Sequence, residues 1–225
     1  AAAGPGWRSV APGPIVAIPL VLARCDENRG DALMAQMSLA GLGPVLPGDR
    51  LFFAVFPDAA TATRVHELAA LLRLQHRLKG RLVDVDRLHV TLHHLGDFAG
   101  LPADLVAAAR RAGDCLSMPS FEACFDRVGS FTAQPRNRPF VLRGDAALAD
   151  LVALRTTLGT HMAANGLARH ARSAFTPHMT LLYDDRAIGD AAIEPIRWQV
   201  RELVLVHSLL GQRTHVALAR WPLDA

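Results

Sequence analysis

Histidine and threonine recur in the same order at two places in this chain. The segment HVTLHHLGDF covers residues 89–98 and the segment HMTLLYDD covers residues 178–185, so the unit His-x-Thr-Leu appears twice, 89 residues apart. Chance would produce one such unit about 0.06 times in a chain of this composition. A single histidine in a strand is usually a structural residue, but repetition of the whole unit indicates a shared chemical purpose.

The spacing within each unit determines which side chains share a face. Successive side chains of a β-strand point to opposite faces, so His89 and Thr91 are predicted on one face, and His178 and Thr180 on one face of the second strand. Each strand then presents an imidazole and a hydroxyl about 7 Å apart. The same alternation predicts that His93 shares the face of His89, where it would line a cleft or lie on the surface.

Two imidazoles that face each other across a cleft suit a reaction in which a proton is removed on one side and delivered on the other. An unperturbed histidine titrates at about pH 6.5, so one imidazole can be neutral while its partner is protonated. Threonine hydroxyls can donate hydrogen bonds to anionic oxygens without adding charge. In-line displacement at phosphorus uses this combination of a base, an acid on the opposite side and donors to the non-bridging oxygens.

The two motifs resemble the paired signatures of the 2H phosphoesterases, and the chain is similar to the bacterial RNA 2',3'-cyclic phosphodiesterases, also called 2'-5' RNA ligases. The resemblance covers about residues 50–223. Besides the motifs it is carried by four segments: RLFFAVFP at 50–57, FTPHMTL at 175–181, LVLVHSLLG at 203–211 and ARWPL at 219–223.

The resemblance implies a bilobal α+β fold with pseudo-twofold symmetry, in which two antiparallel sheets form a central cleft and helices pack outside. It implies neither a metal nor a nucleotide cofactor. His89 would donate a proton to the leaving 3' oxygen and His178 would accept one from water, while Thr91 and Thr180 would hold the phosphate. The substrates would be RNA or oligonucleotide ends with a 2',3'-cyclic phosphate, or small cyclic nucleotides. The product would be a 2'-phosphomonoester, and 2'-5' RNA ligation would be the reverse chemistry.

Two positions depart from the family pattern. Close bacterial relatives usually have arginine two residues before the second motif histidine, where this chain has Thr176. An aromatic residue that is often found in the last strand is replaced near His215. The substrate therefore stays open within the superfamily, and a 2'-5' oligonucleotide phosphodiesterase is an alternative.

Apolar periodicity predicts an α+β chain around the motifs. Helices are predicted at residues 59–78 and 145–166, the second with Asp145 as its N-cap and Gly166 at its end. A third helix is predicted in PADLVAAARRAG. Segments that alternate apolar and polar residues predict further strands in FEACFDRVGSFTA, RPFVLRGD, IRWQVRELVLVHSLL and HVALARWPL. Strands and helices do not alternate regularly, which favours α+β over α/β.

The composition is typical of an ordinary globular protein. Of 225 residues, 51% are hydrophobic and 20% charged, with a net charge of +3 and a pI of about 9.1 that suit a phosphate-bearing partner. Three cysteines without CxxC spacing argue against a disulfide framework or structural zinc, and favour a cytoplasmic location. No apolar run reaches the roughly 18 residues that span a bilayer. We predict a loose N-terminal extension at residues 1–48 and a monomeric two-lobed domain at residues 49–225.

Two further hypotheses compete with phosphoester chemistry. Histidines 89, 93 and 94 with Asp97, or His178 with the following aspartates, could be imagined as metal ligands, but the HExxH context of a helical zinc site is missing. A non-catalytic RNA-binding module is the second hypothesis. Whether the chain is a phosphoesterase or an RNA-binding module, the candidate substrate contacts are Phe131, Arg138 and Tyr183. Aromatic rings can stack on bases, and arginine can bind phosphate.

Overall fold

The computed structural model describes residues 46–144, 148–172 and 174–224 of the chain. The predicted extension at residues 1–48 therefore lies almost wholly outside the described residues, and so does the predicted N-cap Asp145. Over the part of the chain that is described, no helix combines the length and the apolar character needed to cross a bilayer.

The residues that the structure describes form eight strands and four helices. The strands are β1 (Asp49–Val55), β2 (Val90–Phe98), β3 (Phe121–Ser130), β4 (Arg138–Arg143), β5 (His178–Asp184), β6 (Ala191–Val200), β7 (Glu202–Leu209) and β8 (Thr214–Pro222). The helices are α1 (Ala59–Gln75), α2 (Ala103–Asp114), α3 (Ala149–Ala164) and α4 (Ala168–Ala171), and a 3₁₀ turn covers Val85–Arg87.

The strands form two four-stranded antiparallel sheets, as predicted. The first sheet has the order β2-β1-β7-β8 and the second has the order β5-β4-β3-β6. All strand pairs within the sheets are antiparallel. Strands β2 and β5, which carry the two motifs, are each the outer strand of their sheet, and they contact each other. The α+β prediction is confirmed.

Helix boundaries follow local chemistry. Helix α1 begins after Asp58, whose Oδ1 accepts a hydrogen bond from the backbone N–H of Thr61 at 2.8 Å. It ends at Gln75, three residues earlier than predicted, because Arg77 adopts a φ of 53°, which a continuing helix cannot contain. Helix α3 ends just before Gly166, whose φ of 83° terminates it in the way the sequence predicts.

One hydrophobic core joins the two sheets. Phe53 of the first sheet, Phe140 and Met179 of the second, and Leu154 and Leu158 of α3 are all fully buried in the same cluster. Because both sheets bury their apolar faces against shared helices, their relative placement depends on core packing rather than on a linker. The opposite faces of the sheets are left to form the cleft.

The first motif strand contains a β-bulge. Phe53 pairs with His93 and the next residue, Ala54, pairs with Thr91, so Leu92 is an extra residue without its own partner on β1. A bulge interrupts the alternation of side chains. Leu92 and His93 therefore both turn toward the core, where they are 2% and 1% exposed.

The second motif strand contains the equivalent bulge. Phe140 pairs with Leu182 and Val141 pairs with Thr180, which leaves Leu181 as the extra residue. Leu181 and Leu182 are both buried in the core. The leucine of each His-x-Thr-Leu unit is thus the bulge residue, and its side chain anchors the strand immediately after the threonine.

The bulge makes the prediction for His93 wrong. This imidazole neither lines the cleft nor reaches the surface: its Nε2–H donates to the backbone carbonyl of Arg155 in α3 at 2.9 Å. His94 takes the position on the cleft face instead. Strict alternation cannot foresee this exchange, because the extra residue shifts the side chains that follow it by one position, until a second register shift at Leu95 restores the alternation.

We expect Leu181→Ala to lower the free energy of unfolding by about 2 to 5 kcal/mol, since it removes a buried bulge side chain from the shared core. Urea unfolding followed by circular dichroism measures the change. Leu74→Ala is the matched control, because Leu74 is 71% exposed, and we expect it to change stability by about 0.5 kcal/mol or less. Equal stability of the two variants would contradict the role given to the bulge leucine.

Candidate active site

A cavity of about 210 Å³ lies between the sheets and is lined by both motif segments. His89 and Thr91 line it from the first sheet, and His178 and Thr180 line it from the second. The fold thus brings together four side chains whose motifs lie 89 residues apart in the sequence.

The loop before the first motif is fastened to the second motif strand. Oδ2 of Asp184 accepts hydrogen bonds from the backbone N–H groups of Lys79 and Gly80, at 2.6 and 2.8 Å. Residue 80 must be glycine here, because a Cβ would overlap the backbone oxygen of Tyr183. These bonds hold the chain that leads to His89 against β5.

Each motif imidazole is oriented by a backbone carbonyl two residues earlier. Nδ1 of His89 lies 2.6 Å from the carbonyl oxygen of Arg87, and Nδ1 of His178 lies 2.7 Å from that of Thr176. A carbonyl can only accept, so Nδ1 carries a proton in both rings. Nε2 is therefore the atom that can gain or lose a proton, and in His89 it lies 3.1 Å from Oγ1 of Thr91.

The exposed side chain of Thr176 takes no part in this orientation, which uses only the backbone. The departure at this position noted in the sequence therefore leaves the orientation of His178 intact.

His89 lies in an aromatic environment. Its ring stacks on Phe52 with the centroids 5.0 Å apart, and Phe56 and His215 approach to 5.6 and 5.2 Å. Burial, with smaller contributions from the charges of Arg87 and His178, lowers the pKa of His89 to about 4, although the hydrogen bond to the Arg87 carbonyl opposes the shift. Near pH 7 this imidazole is neutral in the structure.

His178 is perturbed in the same direction. Burial is again the main cause of its lowered pKa, and the charge of Arg143 adds to it, while the hydrogen bond to the Thr176 carbonyl opposes it. Phe131 meets the ring edge-on with the centroids 4.9 Å apart.

A second cavity, of about 780 Å³, adjoins the first and shares Arg50, Arg87 and Tyr183 with it. Of the three substrate contacts predicted from the sequence, Phe131 and Tyr183 line this larger cavity. Arg138 lines neither cavity, and its guanidinium donates to the backbone carbonyl of Asp185. Contrary to the prediction, the structure does not bring Arg138 to the described cavities: its guanidinium links the start of β4 to the segment that follows β5.

Four cleft residues were missed by sequence reasoning. Arg50, Ser208 and His215 form a lateral row across the first sheet, because Arg50 pairs with Ser208 and Ser208 pairs with His215. Arg87 reaches the cleft from the 3₁₀ turn. Only strand pairing brings these residues to the motifs, although the position of Arg87, two residues before a motif histidine, was a signal in the sequence.

The metal hypothesis finds no support in the side-chain arrangement. Among the residues that the structure describes, no three His, Cys, Asp or Glu side chains converge as ligands. His93 is turned away from His89 by the bulge, and Asp97 is occupied by Arg50 through two hydrogen bonds of 2.7 Å.

The titration of the two imidazoles can be measured directly. We expect histidine NMR to give a pKa near 4 for His89 and a pKa below about 6.5 for His178, because burial disfavours both charged forms. Nitrogen shifts at neutral pH should report the Nδ1–H tautomer for both rings, in the native protein and in Thr176→Ala. A normal pKa for both rings, or an Nε2–H tautomer, would contradict the described hydrogen bonding.

Comparison with known proteins agrees with this architecture. A model of the 2'-5' RNA ligase superfamily matches residues 56–212, which is more than half of the chain. E. coli LigT, solved in complex with 3'-AMP, is 28% identical, with 79% of this chain and 99% of that chain covered and a TM-score of 0.60. A structure described as a phosphoesterase is 26% identical over the same shares, also with a TM-score of 0.60.

A Thermus thermophilus protein shares the fold at 22% identity, with 77% of this chain and 97% of that chain covered and a TM-score of 0.55. No curated protein matches the chain. The family match, the paired motifs and the two facing sheets lead to one conclusion: this chain belongs to the 2'-5' RNA ligase superfamily of 2H phosphoesterases.

Proposed function

We propose that this protein opens 2',3'-cyclic phosphates at RNA ends or on nucleotides, without a metal, to give a 2'-phosphomonoester. The observation that carries the proposal is the meeting of both His-x-Thr units at one cavity, with the two Nδ1 atoms tied back to the chain. We also propose that the protein is a monomer and acts in the cytoplasm.

The chemistry needs a proton acceptor and a proton donor on opposite sides of phosphorus. His178 Nε2 accepts a proton from water as the water oxygen bonds to phosphorus. The bond from phosphorus to the 3' oxygen breaks, and His89 Nε2–H delivers its proton to that oxygen. Thr91 and Thr180 donate to the non-bridging oxygens. Because His89 directly precedes the outer strand β2 of one sheet and His178 begins the outer strand β5 of the other, one phosphate held in the cavity can be approached from both sides.

The donor role requires His89 to be protonated when substrate is bound. Its lowered pKa opposes this, and the perturbation is larger than that of His178. An anionic phosphate beside the ring favours the charged form and raises the pKa of the imidazole that it contacts. The proposal therefore assigns the protonation of His89 to the substrate complex, and the division of roles between the histidines needs its own test.

E. coli LigT has been solved with 3'-AMP, and similar structures of the same protein hold ATP or NADP+. Nucleotide ligands in a relative with the same fold support a nucleotide or RNA end as substrate here. Ligation of RNA by a 2'-5' bond would use the same groups with a hydroxyl in place of water. A 2'-5' oligonucleotide phosphodiesterase would share the cleft but would form different products, and a non-catalytic RNA-binding module would share it and form none.

We expect His89→Ala and His178→Ala each to lower kcat on a nucleoside 2',3'-cyclic phosphate by about 10² or more, since each removes a proton-transfer group. The assay contains a chelator, and the phosphate position in the product is determined by phosphorus NMR. Thermal unfolding confirms that each variant is folded. Full activity in either variant, or a 3'-phosphate product, would contradict the proposed reaction.

A 3'-deoxynucleoside 2'-(4-nitrophenyl phosphate) separates the two roles. The nitrophenolate leaves without receiving a proton, so loss of the acid should matter little while loss of the base should remain severe. We expect His89→Ala to keep activity on this ester within about tenfold and His178→Ala to lose about 10². The unsubstituted phenyl ester is the control, and there both variants should be impaired. The opposite order would assign the donor role to His178.

A further inference from the structure

The guanidinium of Arg87 is a cleft cation without an acidic partner in the described part of the chain. It lines both cavities, and among the residues that the structure describes no carboxylate lies within ion-pair distance of it. Arg50 lines the same two cavities, but its charge is balanced by Asp97 through a bidentate ion pair. A positive charge that faces a cavity without compensation favours an anion there.

The partner of Arg87 is the imidazole of His215 on β8. Nε and Nη2 of the guanidinium each lie 3.4 Å from Nε2 of His215. A guanidinium only donates, so Nε2 accepts and the ring is neutral. Burial, together with the charges of His89 and Arg87, lowers the pKa of His215 to about 3, which keeps this acceptor available at ordinary pH.

If His215 served only to pack the sheet, its burial would be unfavourable. Its Nδ1 is buried and has no hydrogen-bond partner among the described residues, and a buried donor without a partner is destabilising. An apolar ring would fill the same space beside Phe52 and His89 without that cost. An apolar ring, however, could not accept a hydrogen bond from Arg87.

Among the described residues that line the two cavities, the cation without an acidic partner lies on the side of the first motif. The residue at the equivalent position before the second motif is Thr176, which is exposed. Arg143 pairs with His178 in the sheet, but it is ion-paired with Asp190 and lies over the ring of Phe131 at 5.6 Å. Among the described residues that line the cavities, Arg87 is thus the cation that remains available to a substrate.

We propose that Arg87 binds a non-bridging oxygen of the substrate phosphate, and that His215 is a positioning residue that holds the guanidinium toward it. The inference rests on the proposed function for the identity of the substrate, a phosphodiester with a single negative charge. A guanidinium has five N–H donors in a planar fork, so donors remain for phosphate after those that face His215 are counted. Neither residue is needed for proton transfer in the proposed reaction.

Binding of inorganic phosphate tests the role of Arg87 without turnover. We expect Arg87→Met to weaken phosphate binding, measured by calorimetry or by histidine NMR, by about tenfold or more, the scale of a lost hydrogen bond between charged groups. Arg87→Lys should retain more affinity, since it keeps the charge. Arg138→Met is the matched control and should stay within about twofold, because Arg138 lines neither cavity. Unchanged affinity in Arg87→Met would overturn the inference.

Two substitutions separate positioning by His215 from packing. His215→Phe keeps a ring but loses the acceptor, and His215→Gln keeps an acceptor. We expect phosphate affinity to fall in His215→Phe by about threefold or more and to recover largely in His215→Gln. In turnover of a 2',3'-cyclic phosphate, the Arg87 and His215 variants should raise KM more than they lower kcat. Equal affinity in the Phe and native proteins would overturn the positioning role.

The outcomes also distinguish this inference from the proposed function. Phosphate binding that depends on Arg87, in a protein with no cyclic phosphodiesterase activity, would support the inference and defeat the proposed reaction. Activity that survives Arg87→Met with unchanged KM and unchanged phosphate affinity would support the reaction and defeat the inference.

Discussion

A hydrogen bond from Nδ1 of each motif histidine to the backbone carbonyl two residues earlier is the constraint on which the site depends. The bonds are 2.6 and 2.7 Å long at His89 and His178, and they fix both the tautomer and the direction of each ring. Proton transfer by either of these two rings then concerns Nε2. Because the acceptor is a backbone carbonyl, the side chain of the residue that supplies it can differ between the motifs. That residue is Arg87 in the first motif and Thr176 in the second.

The bulges explain the order of residues in the motif. A histidine and a threonine two positions apart share the cleft face, and the leucine that follows is the extra residue in both strands. Its burial fastens the strand to the core next to the site. Since the two sheets share that core, packing rather than covalent connection holds the two halves of the cavity in register.

Much of this could be predicted from the sequence. Alternation on a strand correctly grouped His89 with Thr91 and His178 with Thr180, and apolar periodicity gave the helices to within a few residues. His93 was predicted on the wrong face because one extra residue in a strand is invisible to a period-two pattern. Arg138 was predicted at the substrate from its residue type alone, whereas its guanidinium donates to the carbonyl of Asp185, just after β5. Arg50, Ser208 and His215 meet only through strand pairing between distant segments, which no local pattern encodes.

Electrostatics gives the two halves of the cleft different characters despite their similar backbones. Burial disfavours the protonated form of both histidines. The lowering of the pKa is larger on the first side, where aromatic rings surround His89. The same side carries Arg87, whose positive charge further disfavours a protonated ring. A bound anion would reverse this balance, so the chemistry of the pair depends on what the cavity holds.

The most direct test of the account is a crystal structure of the protein with a nucleoside 2',3'-cyclic vanadate, which mimics phosphorus during in-line displacement. We expect one vanadium atom in the smaller cavity, with Nε2 of His89 and Nε2 of His178 within hydrogen-bond distance of the two apical oxygens. Vanadate held by only one of these histidines, or bound in the larger cavity away from both, would contradict it.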